Sequence, residues 1–174
     1  MTAGPTRLSD RRATAATTAA ASFETFYRAE ADRVRRALAV SLGDAHVAGE
    51  AVDEAMTRAL ARWGRVSRLD SPAAWVYRVG LNWSISRWRR VRREGPLEDV
   101  DRTVGAPDPL AAGVADALRS LPIDQRAVVV CRALLECSTA ETAAALGIPE
   151  GTVKSRFHRG LTSLRAALTD QDPG

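Results

Sequence analysis

The sequence feature that most constrains the fold is a pair of helix signals near the carboxyl end, separated by a short turn. Residues 138–141 read STAE, the pattern of a capping box, which begins a helix. Gly147 ends that helix, because glycine readily adopts the left-handed conformation found after helix ends. Apolar residues then recur at helical spacing over 150–168. A short helix, a tight turn and a longer helix form a helix-turn-helix, a plan that often binds DNA.

The start of the second of these helices carries hydroxyl and cationic side chains on its predicted exposed face. Such groups suit base edges and phosphates. They are Thr152, Lys154, Ser155, Arg156, His158 and Arg159. The competing interpretation is a generic helical hairpin with a solvated basic face.

A further long helix is predicted over 71–93, with Ser71 as N-cap and Pro72 in the first turn. The segment contains no acidic residue. Its arginines are Arg78, Arg87, Arg89, Arg90, Arg92 and Arg93, and its large aromatic residues are Trp75, Tyr77, Trp83 and Trp88. Cations that follow a phosphate backbone, with aromatic rings for bases to stack on, are typical of single-stranded nucleic-acid binding.

Two other interpretations of this helix have to be weighed. The spacing predicts one face, directed to the core, with Trp75, Val79 and Trp83, and a nearly opposite face with Tyr77, Leu81 and Trp88. Core packing therefore explains the first three residues better than base stacking does. A membrane-surface helix needs a single apolar face, so two faces argue against membrane association.

Composition limits the function classes. The chain has 174 residues, a net charge of +4 and a pI near 9.8, which favours a polyanionic partner. Cys131 and Cys137 are six positions apart without clustered histidine, so neither a zinc site nor a disulfide framework fits, and we expect a reducing compartment. No apolar run suggests a signal peptide or membrane insertion, so a cytoplasmic location is expected. We expect no metal or other cofactor.

Helical periodicity throughout predicts an all-α protein made of two small domains. Residues 1–21, rich in Ala, Thr and Arg, are predicted to be a disordered arm. Residues 22–93 form the first domain. Residues 94–109 are an acidic linker rich in proline and glycine, and 110–170 form the helix-turn-helix domain.

An acidic stripe is predicted on a second helix, for which Asp44 is the predicted N-cap. Glu50, Asp53 and Glu54 share one face. The apolar stripe is formed by Val52, Ala55, Met56, Ala59 and Leu60. Such a stripe is either a solvated surface or a docking face for a positively charged protein.

In their order and spacing, the two halves resemble a sigma-70 family factor of the extracytoplasmic-function (ECF) type over residues 22–168. The segments that carry the resemblance are AGEAVDEAM (48–56), AWVYRVGLNWSISRWRR (74–90) and GTVKSRFHRG (151–160), with Leu121-Pro122 and Gln125-Arg126 at the start of the second domain. Trp83 and Trp88 are additions to the family pattern. The resemblance implies a promoter-specificity subunit of bacterial RNA polymerase that also helps to open the minus-10 element.

The resemblance also implies partners and site residues. The implied partners are promoter DNA and RNA polymerase core, which would be bound through the clamp helices of its largest subunit and through its beta flap. An anti-sigma factor is a possible third partner. The implied polymerase-binding residues are Glu50, Asp53, Glu54 and Met56. The implied minus-10 residues are Trp63, Arg68, Tyr77, Arg78, Asn82, Arg89 and Arg90, with the loop over 63–71 capturing an extruded base. The implied minus-35 residues are the six polar side chains of the second helix given above.

Two other function classes compete with this one. A helix-turn-helix regulator of the response-regulator output type would need a receiver domain, but 22–93 lacks the alternating strands of a receiver. An enzyme acting on nucleic acid would need a catalytic constellation. His46 and His158 are the only histidines and lie in different predicted domains, so we expect no enzymatic activity.

Overall fold

The computed structural model describes residues 6–94 and 109–169, with side-chain surroundings for 17–90 and 113–169. The described residues form helices and no strand, as the all-α prediction requires. The helices are α1 (Thr6–Leu42), α2 (Ala45–Ala61), α3 (Trp63–Val66), α4 (Pro72–Glu94), α5 (Pro109–Ser120), α6 (Ile123–Ala133), α7 (Thr139–Leu146) and α8 (Glu150–Thr169).

The amino-terminal unit is built from α1, α2 and α4, which pack against one another. Gly43, at φ +71°, ends α1, and the Asp44 side chain accepts a hydrogen bond from the Val47 amide to cap α2. The Ser71 hydroxyl accepts a hydrogen bond from the Ala74 amide at 3.3 Å and caps α4. The caps predicted at Asp44 and Ser71 are confirmed.

Helix α1 begins at Thr6, so the predicted disordered arm is wrong over residues 6–21, while residues 1–5 lie outside the described part. Residues 17–22 are exposed, so packing does not hold them in the helix. Alanine and arginine are good helix formers, and extending an existing helix by one residue costs far less than nucleating a new one. The packed part of α1 serves as that nucleus.

The segment between α2 and α4, predicted to be irregular, contains the single helical turn α3. Trp63 in this turn is buried against Phe23 and Phe26, with ring centroids 5.2 and 4.9 Å away, and its indole nitrogen donates a hydrogen bond to the Ser22 hydroxyl. This aromatic cluster fixes the start of the loop that leads to α4.

The carboxyl-terminal unit contains the predicted helix-turn-helix. The Ser138 and Glu141 side chains form the reciprocal capping box, and Gly147 has φ +67° at the end of α7. Hydrogen bonds from Ser138 hold the pKa of the Glu141 carboxyl below its usual value. The valine run 128–130 is helical and buried in α6.

The two units pack against each other, and they share one hydrophobic core. Residues of the second unit join the core of the first, namely Ala127, Val130, Cys131, Leu135, Cys137 and Ala145. The contact, which we call the seam, is made mainly by α1 with α6 and by α4 with α7. The predicted linker spans 94–109; Glu94 ends α4 and Pro109 begins α5, while residues 95–108 lie outside the described part of the chain.

Candidate nucleic-acid interface

The exposed basic surface of the first unit lies along the carboxyl-terminal half of α4. Asn82, Arg89 and Arg90 are exposed there, and Arg68 is exposed in the loop before the helix. These four predicted minus-10 residues are therefore accessible to a polyanion.

Tyr77 is not accessible, so its predicted contact with DNA is wrong for this structure. The residue is completely buried, and its hydroxyl shares a hydrogen bond of 2.8 Å with the Ser41 hydroxyl. Burial raises the pKa of the phenol above its usual value. Trp63, 7% exposed in the aromatic cluster, is likewise a packing residue rather than a platform for a base.

The core-facing side of α4 differs from the predicted one. Ala73, Val76, Tyr77, Leu81 and Ser84 are buried, whereas Trp75, Val79 and Trp83 are half-buried. Small residues let the helix backbone approach closely on this side. A Cβ added at Gly80 would lie 2.8 Å from Leu38 Cδ1 and 3.1 Å from the Ala51 carbonyl oxygen. The prediction of the core-facing side was wrong because it relied on the large apolar residues of α4 and ignored the small ones.

Tyr77→Phe tests this reassignment. The change removes one partner of a buried hydrogen bond and should lower the free energy of unfolding by about 1 kcal/mol. DNA binding should be unchanged, since the ring does not reach solvent. Urea denaturation beside a DNA titration checks both expectations, and weaker DNA binding with unchanged stability would restore the original assignment.

Arg78, a predicted minus-10 residue, lies at the seam. Its guanidinium donates to the Ala145 carbonyl at 2.9 Å and lies against Gly147, so it contacts the end of α7 and the turn of the helix-turn-helix. A cation at a helix carboxyl terminus is stabilised by the exposed carbonyls and the helix dipole. Arg78 must leave this contact before it can bind DNA.

Two further arginines bridge the seam in the same way. Arg33 donates to the Leu135 carbonyl at 3.0 Å, and Arg126 donates to the carbonyl of Ser41 as well as to those of Arg119 and Leu121. Partial burial lowers the pKa of Arg126. Arg126 matches the family pattern in the sequence, but no role was predicted for either Arg33 or Arg126.

The predicted polymerase-binding residues divide into two groups. Met56 is 3% exposed and belongs to the core, so its predicted role is wrong in this structure. Asp53 is exposed, whereas Glu50 and Glu54 are half-buried and paired with Arg87 and Arg58 at 2.8 and 2.7 Å. Leu60, in the predicted apolar stripe, is instead 51% exposed on the same helix. Helix α2 thus exposes Asp53 and Leu60 to solvent.

The predicted minus-35 residues lie at the start of α8. Lys154, Ser155, His158 and Arg159 are exposed, and Thr152 is half-buried. Arg156 is half-buried and pairs with Asp124 of α6 at 3.0 Å, which gives it a contact that anchors the recognition helix. Val153 and Gly160 are buried and fix the orientation of α8 on the unit. The seam leaves this basic face uncovered.

Within 17–90 and 113–169, no group of histidine, cysteine and acidic side chains has the arrangement of a metal site. Both cysteines are free and buried, and burial raises the pKa of each thiol. No helix among the described residues has the length and apolarity needed to cross a membrane.

An all-helical chain with a helix-turn-helix and a second basic helix has the architecture of a two-unit DNA-binding factor. Residues 112–164 match the family described as sigma-70, region 4. The RNA polymerase sigma-E factor of Streptomyces avermitilis is 36% identical over 157 residues, covering 86% of this chain and 87% of the relative. The ECF RNA polymerase sigma factor SigM of Mycobacterium tuberculosis is 33% identical over 153 residues, covering 84% and 77%.

Solved structures agree in fold. CnrH, solved in complex with the cytosolic domain of CnrY, has a TM-score of 0.63 and 26% identity, covering 90% of this chain and 96% of that one. The sigma factor RpoE of Bartonella quintana, solved with the anti-sigma factor NepR, has a TM-score of 0.71 and 21% identity, covering 85% and 97%. The chain therefore belongs to the ECF group of the sigma-70 family. It is an RNA polymerase sigma factor, which directs the polymerase to promoters. The alternative of a helix-turn-helix regulator of the response-regulator output type is therefore not needed.

Proposed function

We propose that this factor binds core polymerase through α2, reads the minus-35 element with α8 and helps to open the minus-10 element with α4. The observation that carries the proposal is the presence of exposed basic faces on both units, with Asn82, Arg89 and Arg90 on one and Lys154 and Arg159 on the other. Base-edge contacts require the reading helix to enter a groove, and single-strand contacts require an accessible basic surface. Both requirements fit these faces.

Asp53 is the acidic residue best placed to meet the polymerase clamp helices, because it is exposed while Glu50 and Glu54 already have cationic partners. Asp53→Lys should weaken association with core polymerase by at least about tenfold, since a like-charge contact can cost several kcal/mol. Co-purification and titration with core polymerase measure the effect.

Asp32→Lys is the matched control, because its side chain is 77% exposed on α1 and the charge change is identical. It should leave core binding within about twofold of the parent. Equal losses in both variants would mean that net charge, not the α2 face, controls association.

Promoter binding also requires the seam to open. Elements about 25 base pairs apart lie roughly 85 Å from each other along a duplex, at about 3.4 Å per base pair. Two small units in contact have centres separated by roughly 30 Å, the diameter of one such unit. The closed arrangement cannot span both elements, so Arg33, Arg78 and Arg126 must exchange their carbonyl partners during holoenzyme assembly.

Other partners follow from the same proposal. The helix-turn-helix unit would meet the polymerase beta flap, and an anti-sigma factor could hold the closed state, as partners of this kind bind the solved relative RpoE. The factor would act without catalytic chemistry of its own, in the cytoplasm where polymerase and chromosome meet.

A further inference from the structure

Arg87 of α4 occupies a position that none of the predicted roles explains. Its guanidinium carbon lies over the indole ring of Trp83, 5.3 Å from the ring centroid, within the range of a cation–π contact. One guanidinium nitrogen, Nη1, lies 2.8 Å from Oε2 of Glu50 on α2. The Arg87 side chain is nevertheless 46% exposed, so part of this held group faces solvent.

The two contacts fix the arginine in different directions. Trp83 is half-buried and packs on the core, so the ring that lies beneath the guanidinium is itself held in place. Glu50 approaches from the neighbouring helix and restrains the guanidinium sideways through an ion pair. An arginine restrained in this way has already lost much of the side-chain freedom that binding would otherwise cost.

The ion pair with Glu50 also changes which kind of contact Arg87 can make with DNA. A carboxylate at 2.8 Å offsets the positive charge of the guanidinium, which weakens its attraction for phosphate. The planar face is not affected by that pairing, and guanidinium planes stack on unpaired bases. Exposed Arg89 and Arg90, further along α4, are better suited to phosphate contacts.

We propose that Arg87 is a stacking plate for an unpaired base of the promoter strand, with Trp83 beneath it and Glu50 as its positioning residue. The inference rests on the proposed binding of single-stranded DNA by α4. It makes Trp83, an addition to the family pattern, part of the binding surface through the arginine that it supports. It also gives Glu50 a role in placing Arg87 instead of a direct contact with polymerase.

The test compares a base-bearing strand with one that has only a backbone. Full-length protein is titrated with labelled oligothymidine of about 12 nucleotides and with an abasic strand of equal length, at low salt. Because both strands carry the same phosphates, the ratio of their affinities reports contacts to bases. Arg87→Lys keeps the charge and removes the plane, so it should lower this ratio by about fivefold or more. The matched control Arg90→Lys should leave the ratio unchanged.

A second pair of variants tests the positioning role. Glu50→Gln should lower the affinity ratio in the parent but not in the Arg87→Lys background, because it acts through Arg87. Glu54→Gln removes the same charge from the same helix, where the carboxylate pairs with Arg58, and should have no effect on the ratio.

Three outcomes would contradict the proposed role of Arg87. They are an affinity ratio near one for the parent protein, equal weakening of binding to both strands by Arg87→Lys, and equal effects of Glu50→Gln and Glu54→Gln on the affinity ratio. Thermal unfolding of each variant shows whether the fold is kept. Core polymerase co-purification, which tests the proposed function, uses none of these oligonucleotides and fails or succeeds independently.

Discussion

Oxidised Ser71→Cys protein is expected to lose promoter-directed transcription and to recover it when reduced. The Ser71 hydroxyl oxygen, just before α4, lies 3.5 Å from the sulfur of Cys137, two residues before α7, so the two atoms face each other across the seam. A thiol at position 71 would therefore meet the native thiol and could form a disulfide that locks the two units together. Since the closed arrangement cannot reach both promoter elements, the cross-linked molecules should be inactive.

The size of the effect follows from the fraction that is cross-linked. If about nine-tenths of the protein carries the disulfide, about nine-tenths of the activity should disappear, because only the unlocked molecules are competent. Burial raises the pKa of Cys137, so the thiolate needed for disulfide formation is scarce at neutral pH and cross-linking should speed up as pH rises. Run-off transcription before and after reduction gives the measurement.

Parent protein carried through the same oxidation is the control, since it retains Cys137 but has no thiol at position 71. The variant should behave identically in a Cys131→Ala background, which removes the one competing thiol. Full activity of a sample shown by mass spectrometry to be cross-linked would mean that transcription does not require the seam to open.

Local sequence signals predicted the helix boundaries best. Ser71, Ser138 and Gly147 act within three or four residues of themselves, through caps and a left-handed turn, so spacing alone is sufficient to find them. The recognition helix follows directly from the turn that precedes it, and four of the six side chains predicted on its exposed face are exposed, whereas Thr152 and Arg156 are half-buried. The helix-turn-helix could thus be predicted from a short stretch of sequence.

The seam could not be predicted in this way. Arg33, Arg78 and Arg126 donate to backbone carbonyls 102, 67 and 85 positions away, and a carbonyl is present at every residue. No sequence pattern marks which carbonyl will be chosen. Tyr77 was misassigned for a related reason, because the face of α4 that packs is decided by small residues such as Gly80, which make close approach feasible. At Tyr77, tertiary packing therefore overrides the apolar stripe that the sequence pattern indicates.

Asn82→Ala is expected to impair strand opening more than initial promoter binding. Opening requires a base to leave the stack, which costs a few kcal/mol, while stacking on an aromatic or planar group returns about 1–3 kcal/mol per base. Polar contacts to the extruded base must supply the difference, and the exposed amide of Asn82 lies on the accessible half of α4. Removing it should leave duplex binding within about twofold and reduce permanganate reactivity of the minus-10 bases about tenfold.

Arg89→Ala and Arg90→Ala are the contrasting variants, because both side chains are exposed on the same half of the helix but carry charge. They should weaken binding across promoters. They should also flatten the salt dependence of binding, because a variant with fewer phosphate contacts releases fewer counterions when it binds DNA. Permanganate footprinting beside a filter-binding titration, on a promoter selected from genomic DNA by the reconstituted holoenzyme, separates the two patterns. If Asn82→Ala lost binding in proportion to opening, the amide would contribute to affinity for the duplex, and base capture would have to be assigned to the loop that contains Arg68.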